Sequence, residues 1–486
     1  MKSRGITTIG ICALFALVAF LSVTAFIKVP ALLEQFVLSR SGISRDSLAE
    51  YLFSVIPFDI RQNVYMLNIT NPDEFFKGAK PHFQQLGPYV FRVNLRKNMT
   101  WSDGDLLTYR ENRKFWYDAA LSNGHLNDSI NTVDPVYTAA QEVIDELPLI
   151  VQKFVRPLLE SRKVLFKHTV RELLYDGYTD PLAELAHLIK PDLPVVNGKI
   201  GYLRSMNDTD DGDMTVFGGT NPSTRDKRNL VIEWRHKKTI PYYSGGCNRI
   251  WGANAELYPS FNLSSPPEKI GLFLPLFCRP WSLHYNGTRW ENGLKLARFG
   301  TGLDIFSSSN STGIKECAQP GSWPQGLFDV RACQHDFPAL LSLPHFLHAD
   351  DKILQDVDGL RPDVTKHDLH LDVFPLLGIP VRPAVRVQLN VRIWRHLDLS
   401  RSGNPSIVYP VLWQEIVLSE QSVSYIASMI WYVIQLPQIL LQVIAFILFF
   451  VSVCFIIIHC YAASQKASGD DTVSIMRSTD DMAAIG

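Results

Sequence analysis

Two long stretches without charged residues, one near each end of the chain, constrain the fold more than any other feature of the sequence. The first, Ile6 to Ile27, covers 22 positions. At about 1.5 Å rise per residue, a helix of that length crosses a hydrocarbon core of about 30 Å. The second runs from Gln421 to Ile458 and is longer still. The sequence therefore predicts two transmembrane helices with a large domain between them.

The first stretch also has features of a signal peptide. Lys2 and Arg4 precede it, and Val23 and Ala25 are small residues two positions apart. The apolar run continues past them to Ile27 and exceeds the usual core of about 7 to 15 residues, which favours an uncleaved anchor. The predicted segments are 1–5 as a cytosolic N-terminus, 6–27 as a transmembrane helix, 28–435 as a glycosylated ectodomain, 436–460 as a transmembrane helix and 461–486 as a cytosolic tail.

Glycosylation signals indicate on which side of the membrane the middle of the chain lies. Seven N-x-S/T acceptors occur, whereas average usage predicts about two or three. They are Asn68, Asn98, Asn127, Asn207, Asn262, Asn286 and Asn310. All of them lie between the two apolar stretches, so we expect a glycosylated domain outside the cytosol.

Four of the seven cysteines lie in the same middle region, which agrees with an oxidising compartment. They are Cys247, Cys278, Cys317 and Cys333. We expect two disulfides, and spacing alone leaves three connectivities open. A structural zinc site is disfavoured because no two of these cysteines are two to four residues apart.

Composition and motifs argue against two functional classes. A net charge of -1 offers no basic surplus for nucleic acid. No H-E-x-x-H, G-x-S-x-G or phosphate-loop pattern is present, so we predict no enzymatic activity and no cofactor. The residues that could be imagined as metal ligands are His345 and His348, or His367, His370 and Asp372. We predict no metal site, because the second set alternates with Leu369, Leu371 and Val373 as an exposed strand face would.

The middle domain combines strands with one helical region. Apolar and polar residues alternate from Val385 to Ile393 and from Tyr89 to Leu95, which predicts strands with one buried and one solvated face. Asn197-Gly198 predicts a tight hairpin. Residues 134–190 show helical spacing instead, and Pro148 and Pro157 favour several short helices.

The helical region is also basic, and two interpretations remain open. The candidate ligand-binding residues are Lys153, Arg156, Arg162, Lys163, Lys167, His168 and Arg171. They form either a solvated face paired with Glu160 and Glu172 or a docking surface for an anionic partner.

Several ordered motifs suggest a family. Thr70-Asn71-Pro72-Asp73-Glu74 is followed by Gly87-Pro88-Tyr89, and Arg171-Glu172-Leu173-Leu174 leads into Asp180-Pro181. Further landmarks are Cys247-Asn248, Cys278-Arg279, Leu343-Pro344-His345-Phe346-Leu347, Asp358-Gly359-Leu360 and Pro410-Val411-Leu412-Trp413. Together with the two terminal membrane segments, they make the chain resemble the class B scavenger receptors over nearly its whole length.

The resemblance implies an α+β fold: a large antiparallel β-barrel ectodomain with an apical helical bundle at 134–190, anchored by two transmembrane helices. It implies that the apex binds lipids, lipoproteins or proteins, and that apolar lipid passes through a tunnel to the membrane. It also implies that Cys278 pairs with Cys333, and Cys247 with Cys317. The chain departs from the family's commoner arrangement of six cysteines. It also has Trp251-Gly252-Ala253-Asn254 where the family usually has a Gly-Thr sequence.

We therefore carry two functional hypotheses. The first is a scavenger-type receptor that binds lipids or lipoproteins at the basic apex and transfers lipid through the ectodomain. Lys163 and Lys167 are predicted at the mouth of that site. The alternative is a lysosomal sorting receptor that binds a luminal hydrolase. Both place the chain in the plasma membrane or an endosomal or lysosomal membrane, with two spans and cytosolic termini, and both leave the oligomeric state open.

Overall fold

The computed structural model describes residues 2–144, 147–191, 193–242, 248–277, 279–303, 305–306, 323–335, 337–394 and 406–483. The chain divides into two compact units. One consists of Met1–Arg40 together with Ser428–Gly486, and the other is Ser41–Ala427. We describe each unit by itself and call the second one the ectodomain.

The described helices are, in chain order, α1 (Lys2–Arg40), α2 (Leu48–Ser54), α3 (Pro72–Phe76), α4 (Pro135–Val143), α5 (Leu149–Glu160), α6 (Val170–Leu173), α7 (Pro181–Ile189), α8 (Asp351–Gln355), α9 (Val364–His367), α10 (Glu420–Ile430) and α11 (Leu436–Ala483). Four of these helices, α4 to α7, fall within the region whose spacing predicts helices. Pro148 caps α5 at its start, and the helix continues through Pro157 to Glu160.

The described strands are β1 (Ile60–Ile69), β2 (Phe83–Ser102), β3 (Leu106–Tyr117), β4 (Ser129–Val133), β5 (Leu165–Thr169), β6 (Tyr178–Thr179), β7 (Lys199–Ile200), β8 (Thr209–Asp210), β9 (Met214–Phe217), β10 (Val231–Trp234), β11 (Lys269–Leu272), β12 (Trp281–Glu291), β13 (Leu294–Thr301), β14 (Phe328–Asp329), β15 (Ala339–Ser342), β16 (His370–Phe374), β17 (Ile379–Trp394) and β18 (Ser406–Leu418). Both predicted strands are confirmed, as parts of β17 and β2. The predicted tight turn is also present, because Val196 and Lys199 exchange backbone hydrogen bonds around Asn197-Gly198.

Two helical stretches are long and apolar enough to cross a membrane, with mean hydropathies of 2.5 and 3.0. Gly10–Arg40 lies in the terminal unit, and Glu420–Gln465 begins at the end of the ectodomain and continues through the terminal unit. The rings of Phe15 and Phe455 stack within this unit, with centroids 4.8 Å apart. Pro437 lies at the start of α11, directly after a wider π-helical turn, Trp431–Gln435. Proline has no backbone N–H to donate within a helix, and a wider turn next to it accommodates the missing hydrogen bond.

One large antiparallel sheet forms the ectodomain. Its main order is β10-β9-β3-β2-β1-β18-β17-β16-β13-β12-β11, and β8, β14 and β15 pair with it from the side. The long strands β1, β2, β17 and β18 form its centre. They contribute Val64, Tyr89, Val391 and Leu412 to one buried cluster. Burying each such side chain contributes about 1.5 to 3 kcal/mol, so this centre anchors the fold.

The two outer strands of this sheet are not paired with each other in the described part of the chain, so no closed barrel is found. A short strap, Gly252-Ala253, lies between them. The Val231 N–H donates to the Gly252 carbonyl over 2.8 Å, and the Ala253 N–H donates to the Gly271 carbonyl over 3.0 Å. Gly252 has φ +94° and approaches Gly271 so closely that an added Cβ would lie 2.6 Å from its carbonyl carbon. Only glycine fits this crossing.

The prediction of a solvated face on β17 is wrong for two residues. Gln388 and Asn390 are fully buried. The Gln388 amide donates to the Asn390 side-chain oxygen over 2.8 Å, and the Asn390 amide donates to Ser342 Oγ over 3.0 Å. The Gln388 side-chain oxygen also accepts from the His345 N–H over 2.7 Å, so Ser342 and His345 supply partners for these polar residues in place of solvent.

A buried group of charges joins β2, β3 and the loop before β11. Lys97 Nζ lies 3.0 Å from Glu111 and 2.8 Å from Glu256, and its side chain is fully buried. Burial raises the pKa of Glu256 to about 7. The negative charge of Glu111 raises this pKa further, whereas the positive charge of Lys97 lowers it. Burial would also raise the pKa of Glu111, but the charges of Lys97 and Arg113 lower it to about 2. We call Lys97, Glu111 and Glu256 the buried charge group.

We expect Glu256→Gln to change how ectodomain stability depends on pH. A carboxyl whose folded pKa is raised stabilises the fold below its unfolded pKa, and this contribution is lost as the pH rises through the folded value, here about 7. Glutamine resembles the protonated carboxyl. The variant should therefore match the parent protein near pH 5 and exceed its free energy of unfolding by about 1 to 2 kcal/mol near pH 8.

Thermal unfolding of the full chain at pH 5 and pH 8 measures this difference. The exposed Glu268→Gln is the matched control, and we expect its curve to follow the parent at both values. Parallel pH profiles for Glu256→Gln and the parent would contradict the prediction, because they would mean that Glu256 ionises equally in the folded and unfolded chains.

Candidate ligand-binding site

Helix α5 exposes much of its apolar surface. Val155 and Leu159 are buried beneath the helix, but Leu149 and Phe154 are 76% and 72% exposed, and Ile150 and Leu158 are exposed too. The spacing of apolar residues predicted the helix but did not separate buried from exposed positions. We call Leu149, Ile150, Phe154 and Leu158 the α5 apolar face.

Two further features of the helical region are relevant to ligand binding. Helix α7 exposes Leu185 and Leu188. A depression of about 440 Å³ is lined by Leu149, Ile150, Gln152, Lys153 and Arg156. Apolar side chains and cationic groups therefore line the same depression, an arrangement that suits an amphipathic, anionic ligand.

Arg162, one of the predicted ligand residues, holds the helices together. Its guanidinium lies 2.7 Å from the carboxylate of Asp134 and also bonds both carboxylate oxygens of Asp180. Although burial acts in the opposite direction, these two carboxylates raise the pKa of Arg162 above its ordinary value. We call Arg162, Asp134 and Asp180 the Arg162 node.

The two carboxylates of the node also start two helices. Asp134 accepts from the Val136 and Tyr137 N–H groups at the start of α4. Asp180 accepts from the Leu182 and Ala183 N–H groups at the start of α7. Each aspartate precedes a proline at the first helical position, which is a sequence signal for a helix start. The node therefore joins the beginnings of α4 and α7 to the end of α5.

A second ionic link ties α4 to the sheet. The Glu142 carboxylate lies 2.8 Å from the Arg392 guanidinium on β17 and 3.6 Å from Arg331. Arg392 also lies over the Trp323 ring, 4.9 Å from its centroid. These contacts fix α4 against the sheet, while α5 keeps its apolar face in solvent.

The other predicted basic residues differ in their surroundings. Lys153, Lys163 and Lys167 are exposed, and no ion pair is found for them in the part of the chain that the structure describes. Arg156 contacts the Gln152 side chain over 3.3 Å. Arg171 lies 2.9 Å from Asp176 at the surface. The lysines are therefore the cations most accessible to a ligand.

His168 lies between two aromatic rings. Its centroid is 4.4 Å from those of Phe166 and Tyr178, and its Nδ1 lies 3.2 Å from the Glu172 carboxylate. Glu172 in turn accepts from the Thr169 N–H and hydroxyl at the start of α6. Glu172, expected as a partner for the basic face, therefore pairs with His168.

Comparison with known proteins decides the family. The sequence profile described as the CD36 family matches residues 10–463 of this chain. The chain belongs to the CD36 family. Scavenger receptor class B member 1 of Mus musculus is 30% identical over 416 residues, covering 84% of this chain and 80% of that protein. Lysosome membrane protein 2 of Rattus norvegicus is 26% identical over 386 residues, covering 77% and 78%. Protein peste of Drosophila melanogaster is 27% identical over 372 residues, covering 75% and 66%.

The predicted glycosylation acceptors of this CD36 family chain differ in exposure. Asn98, Asn127, Asn262 and Asn286 are exposed, and Asn310 lies outside the described residues. The half-buried Asn68 and Asn207 accept backbone hydrogen bonds, from Asn131 over 2.8 Å and from Phe115 over 3.0 Å. Glycosylation at all seven positions remains a prediction.

The cysteines are described only in part. Cys333 is disulfide-bonded. Cys247, Cys278 and Cys317 lie outside the described residues, so the pairings Cys278 with Cys333 and Cys247 with Cys317 remain predictions. Cys12, Cys454 and Cys460 are free thiols.

Two of the histidines considered as metal ligands, His345 and His367, are buried, whereas His348 and His370 are half-buried. His345 and His367 stack with ring centroids 4.2 Å apart, and burial lowers the pKa of His345 to about 4. The prediction of an exposed strand face is wrong here, because His367 and Asp372 are buried and Asp372 pairs with Arg298 over 2.6 Å. Among the described residues, no group of three potential ligands converges on one point.

Proposed function

We propose that this protein is a scavenger-type receptor that binds the surface of lipid assemblies or lipoproteins through the α5 apolar face. The observation that carries the proposal is an amphipathic helix that leaves large apolar side chains in solvent beside accessible lysines. Exposed apolar surfaces of this kind mark interaction sites. Membership of the CD36 family and similarity to scavenger receptor class B member 1 support the same function.

The chemistry of the surface fits such a ligand. Each methylene group removed from water contributes about 0.8 kcal/mol, so Phe154 and its apolar neighbours would supply most of the affinity. Lys153, Lys163 and Lys167 would attract anionic head groups, and a flexible ammonium can follow a mobile anion. Arg162 would contribute indirectly, by holding α5 in place.

We further propose that apolar lipid moves from this site through the interior of the sheet to the membrane. The large antiparallel sheet and the two terminal helices able to span a bilayer support this proposal. In it, the strap and the outer strands complete a barrel wall, and both termini lie in the cytosol. The family relatives support a plasma-membrane or lysosomal-membrane location.

We expect Phe154→Ser combined with Leu158→Ser to weaken binding of phospholipid-coated particles at least tenfold. Losing the burial of two large side chains costs about 1.5 to 3 kcal/mol each, and about 1.4 kcal/mol corresponds to a factor of ten. Fluorescent particles of phosphatidylcholine and cholesteryl ester are titrated onto cells that express the full chain, and binding is normalised to surface protein.

The matched control removes an exposed apolar side chain from another helix. Val364 on α9 is 56% exposed, and Val364→Ser should leave binding unchanged. Unchanged binding in the α5 double variant, with normal surface expression, would overturn the proposal. Lys153→Glu adds a second measurement and should weaken binding of anionic particles more than binding of zwitterionic ones.

A second candidate is a sorting receptor for a luminal hydrolase, which the similarity to lysosome membrane protein 2 supports. The same surface would then contact a folded protein instead of lipid. Two results together would favour this function. The parent protein would fail to bind the lipid particles but would bind a purified lysosomal hydrolase, and Phe154→Ser would abolish binding of the hydrolase. If neither ligand binds, both candidate functions are contradicted.

A further inference from the structure

A second set of exposed apolar side chains lies on α2, away in sequence from the α5 apolar face. Leu48 and Tyr51 are 73% and 62% exposed, and Val55, directly after the helix, is also exposed. Leu48 and Tyr51 are three residues apart and therefore lie on one side of the helix, and Val55 follows in extended conformation. Phe53 packs instead into the ectodomain against Tyr109, with ring centroids 5.3 Å apart. Helix α2 therefore buries one side chain and presents an apolar stripe to solvent.

Two large aromatic residues are exposed where the ectodomain ends. Tyr425 belongs to the last residues of the ectodomain, and Trp290 lies on a hairpin that contacts them. Tyr425 is exposed and lies 6.4 Å from the ring of Phe58, three residues after Val55. The neighbouring Ser424 accepts a hydrogen bond from Asn292, which lies in the turn between β12 and β13. Trp290, at the end of the same hairpin, is 71% exposed. The hairpin thus brings its tryptophan to the region of Tyr425.

Leu48, Tyr51, Val55 and Tyr425 lie near the two points in the chain at which the ectodomain begins and ends, and the Asn292–Ser424 contact brings the Trp290 hairpin to the second of them. The ectodomain begins at Ser41 and ends at Ala427. Leu48 follows the end of α1 at Arg40 by eight residues, a reach of at most about 28 Å, and Tyr425 precedes Ala427 by two. The chain itself therefore limits how far these side chains can be from the membrane segments.

The apolar segments are longer than a bilayer requires. Residues Gln421 to Ile458 include no charged residue, and these 38 residues would extend about 57 Å as a helix, against a hydrocarbon core of about 30 Å. Helix α1 likewise continues from Ile27 to Arg40. A span that exceeds the core tilts or lies partly in the interface, which brings the start of the adjoining domain close to the lipid head groups.

We propose that Leu48, Tyr51, Val55, Trp290 and Tyr425 form a lipid-contacting collar, which inserts into the head-group layer of the bilayer that the chain's own helices cross. Tyrosine and tryptophan favour this layer because each has an apolar ring and a polar group. Arg289 and Lys295 are exposed beside Trp290, and Lys295 is its direct cross-strand partner. The collar therefore combines interfacial aromatic residues with cations that suit lipid phosphates.

The proposal is tested with the full chain in phosphatidylcholine nanodiscs. Free thiols are removed by Cys12→Ser, Cys454→Ser and Cys460→Ser, and one spin label is attached at Tyr51→Cys or at Trp290→Cys. Electron paramagnetic resonance compares collisions with oxygen, which dissolves in lipid, and with a water-soluble nickel chelate. Trp116→Cys is the matched control, since Trp116 is an exposed aromatic residue on β3.

We expect the oxygen-to-nickel accessibility ratio to be at least threefold higher at Tyr51 and Trp290 than at Trp116. A ratio equal to the control at both collar positions would overturn the proposal. A different outcome is low accessibility to both reagents, together with dipolar coupling between labels in discs that carry two copies of the chain. That outcome would overturn the lipid-contacting collar and would indicate a contact between the two copies.

A label-free measurement covers the case in which a cysteine variant does not fold. Brominated phosphatidylcholine quenches tryptophan fluorescence only at close range, and the unlabelled full chain is compared with Trp290→Phe. If Trp290 contacts lipid, the variant loses part of the quenchable emission. Equal quenchable emission in the two proteins would exclude lipid contact for this residue.

Discussion

Replacing Lys97 by methionine should destabilise the ectodomain by about 3 to 5 kcal/mol at pH 7, the range expected when one partner of a buried ion pair is removed. The substitution leaves Glu111 and Glu256, whose side chains are 18% and 19% exposed, without the ammonium that lies within 3.0 Å of both. Arg113 still contacts Glu111 over 3.1 Å, whereas the described residues offer Glu256 no second cation and only the Asn254 amide, which donates over 3.0 Å. A buried carboxylate without a cation either takes up a proton or destabilises the fold.

The pH dependence gives the prediction a second readout. Without Lys97, Glu256 should bind a proton more readily in the folded state than in the unfolded state, whereas Glu111 still has Arg113 beside it. The stability of the variant should therefore increase as the pH falls from 7 to 5, because uptake of this proton then favours folding. The deficit relative to the parent protein should shrink over the same range.

Thermal unfolding and protease resistance of the full chain measure the effect. Lys114→Met is the matched control, because Lys114 lies on the neighbouring strand and is exposed. Its surface charge should contribute little. Adding Glu256→Gln to Lys97→Met should recover part of the loss, since it removes the uncompensated charge. A Lys97→Met protein as stable as the control would show that the buried charge group does not hold β2, β3 and the loop together.

Replacing Arg162 by methionine should disorganise the helices that carry the ligand-binding surface. Asp134 and Asp180 would face each other without the shared guanidinium, and both side chains are almost fully buried. We expect a local cost of about 3 to 5 kcal/mol. Because each aspartate also caps a helix, α4 and α7 should loosen together and particle binding should fall with them.

The decisive comparison adds Asp134→Asn and Asp180→Asn to the arginine variant. Asparagine caps helices about as well as aspartate but has no charge, so the triple variant should regain protease resistance and binding. Arg171→Met, which breaks only a surface pair with Asp176, is the control and should resemble the parent. If Arg162→Met abolishes binding and the triple variant folds without restoring it, Arg162 contacts the ligand directly.

Local sequence patterns predicted individual elements well. The alternation in β2 and β17 and the Asn197-Gly198 turn are local signals, and both strands and the turn are present. Gln388, Asn390 and Asp372 were misplaced for a shared reason. Alternation shows which residues face opposite sides of a strand, but not whether another strand or side chain covers the polar side. The groups that meet these polar side chains are Ser342 for Asn390, the His345 N–H for Gln388 and Arg298 for Asp372.

The site was predicted less completely. A run of positive charges identified the helical region but could not separate Arg162 from Lys163, because the carboxylates that hold Arg162 are 28 and 18 residues distant in the chain. The two Asp-Pro helix starts were readable, but their meeting at one arginine depends on tertiary structure. The α5 apolar face did leave a signal. The apolar residues of α5 lie on one side of the helix, but they are more numerous than the two side chains that the fold buries, which indicates a second contact surface.

The Gly252-Ala253 strap has a mechanical consequence for the ectodomain. Elsewhere in the main sheet, adjoining strands are held by ladders of backbone hydrogen bonds, whereas along this line the two outer strands depend on a two-residue segment. Local opening of a sheet occurs first where the fewest backbone hydrogen bonds must break. The two outer strands should therefore separate along this line more easily than strands joined by a full ladder, and such a separation would leave the β1, β2, β17 and β18 centre intact.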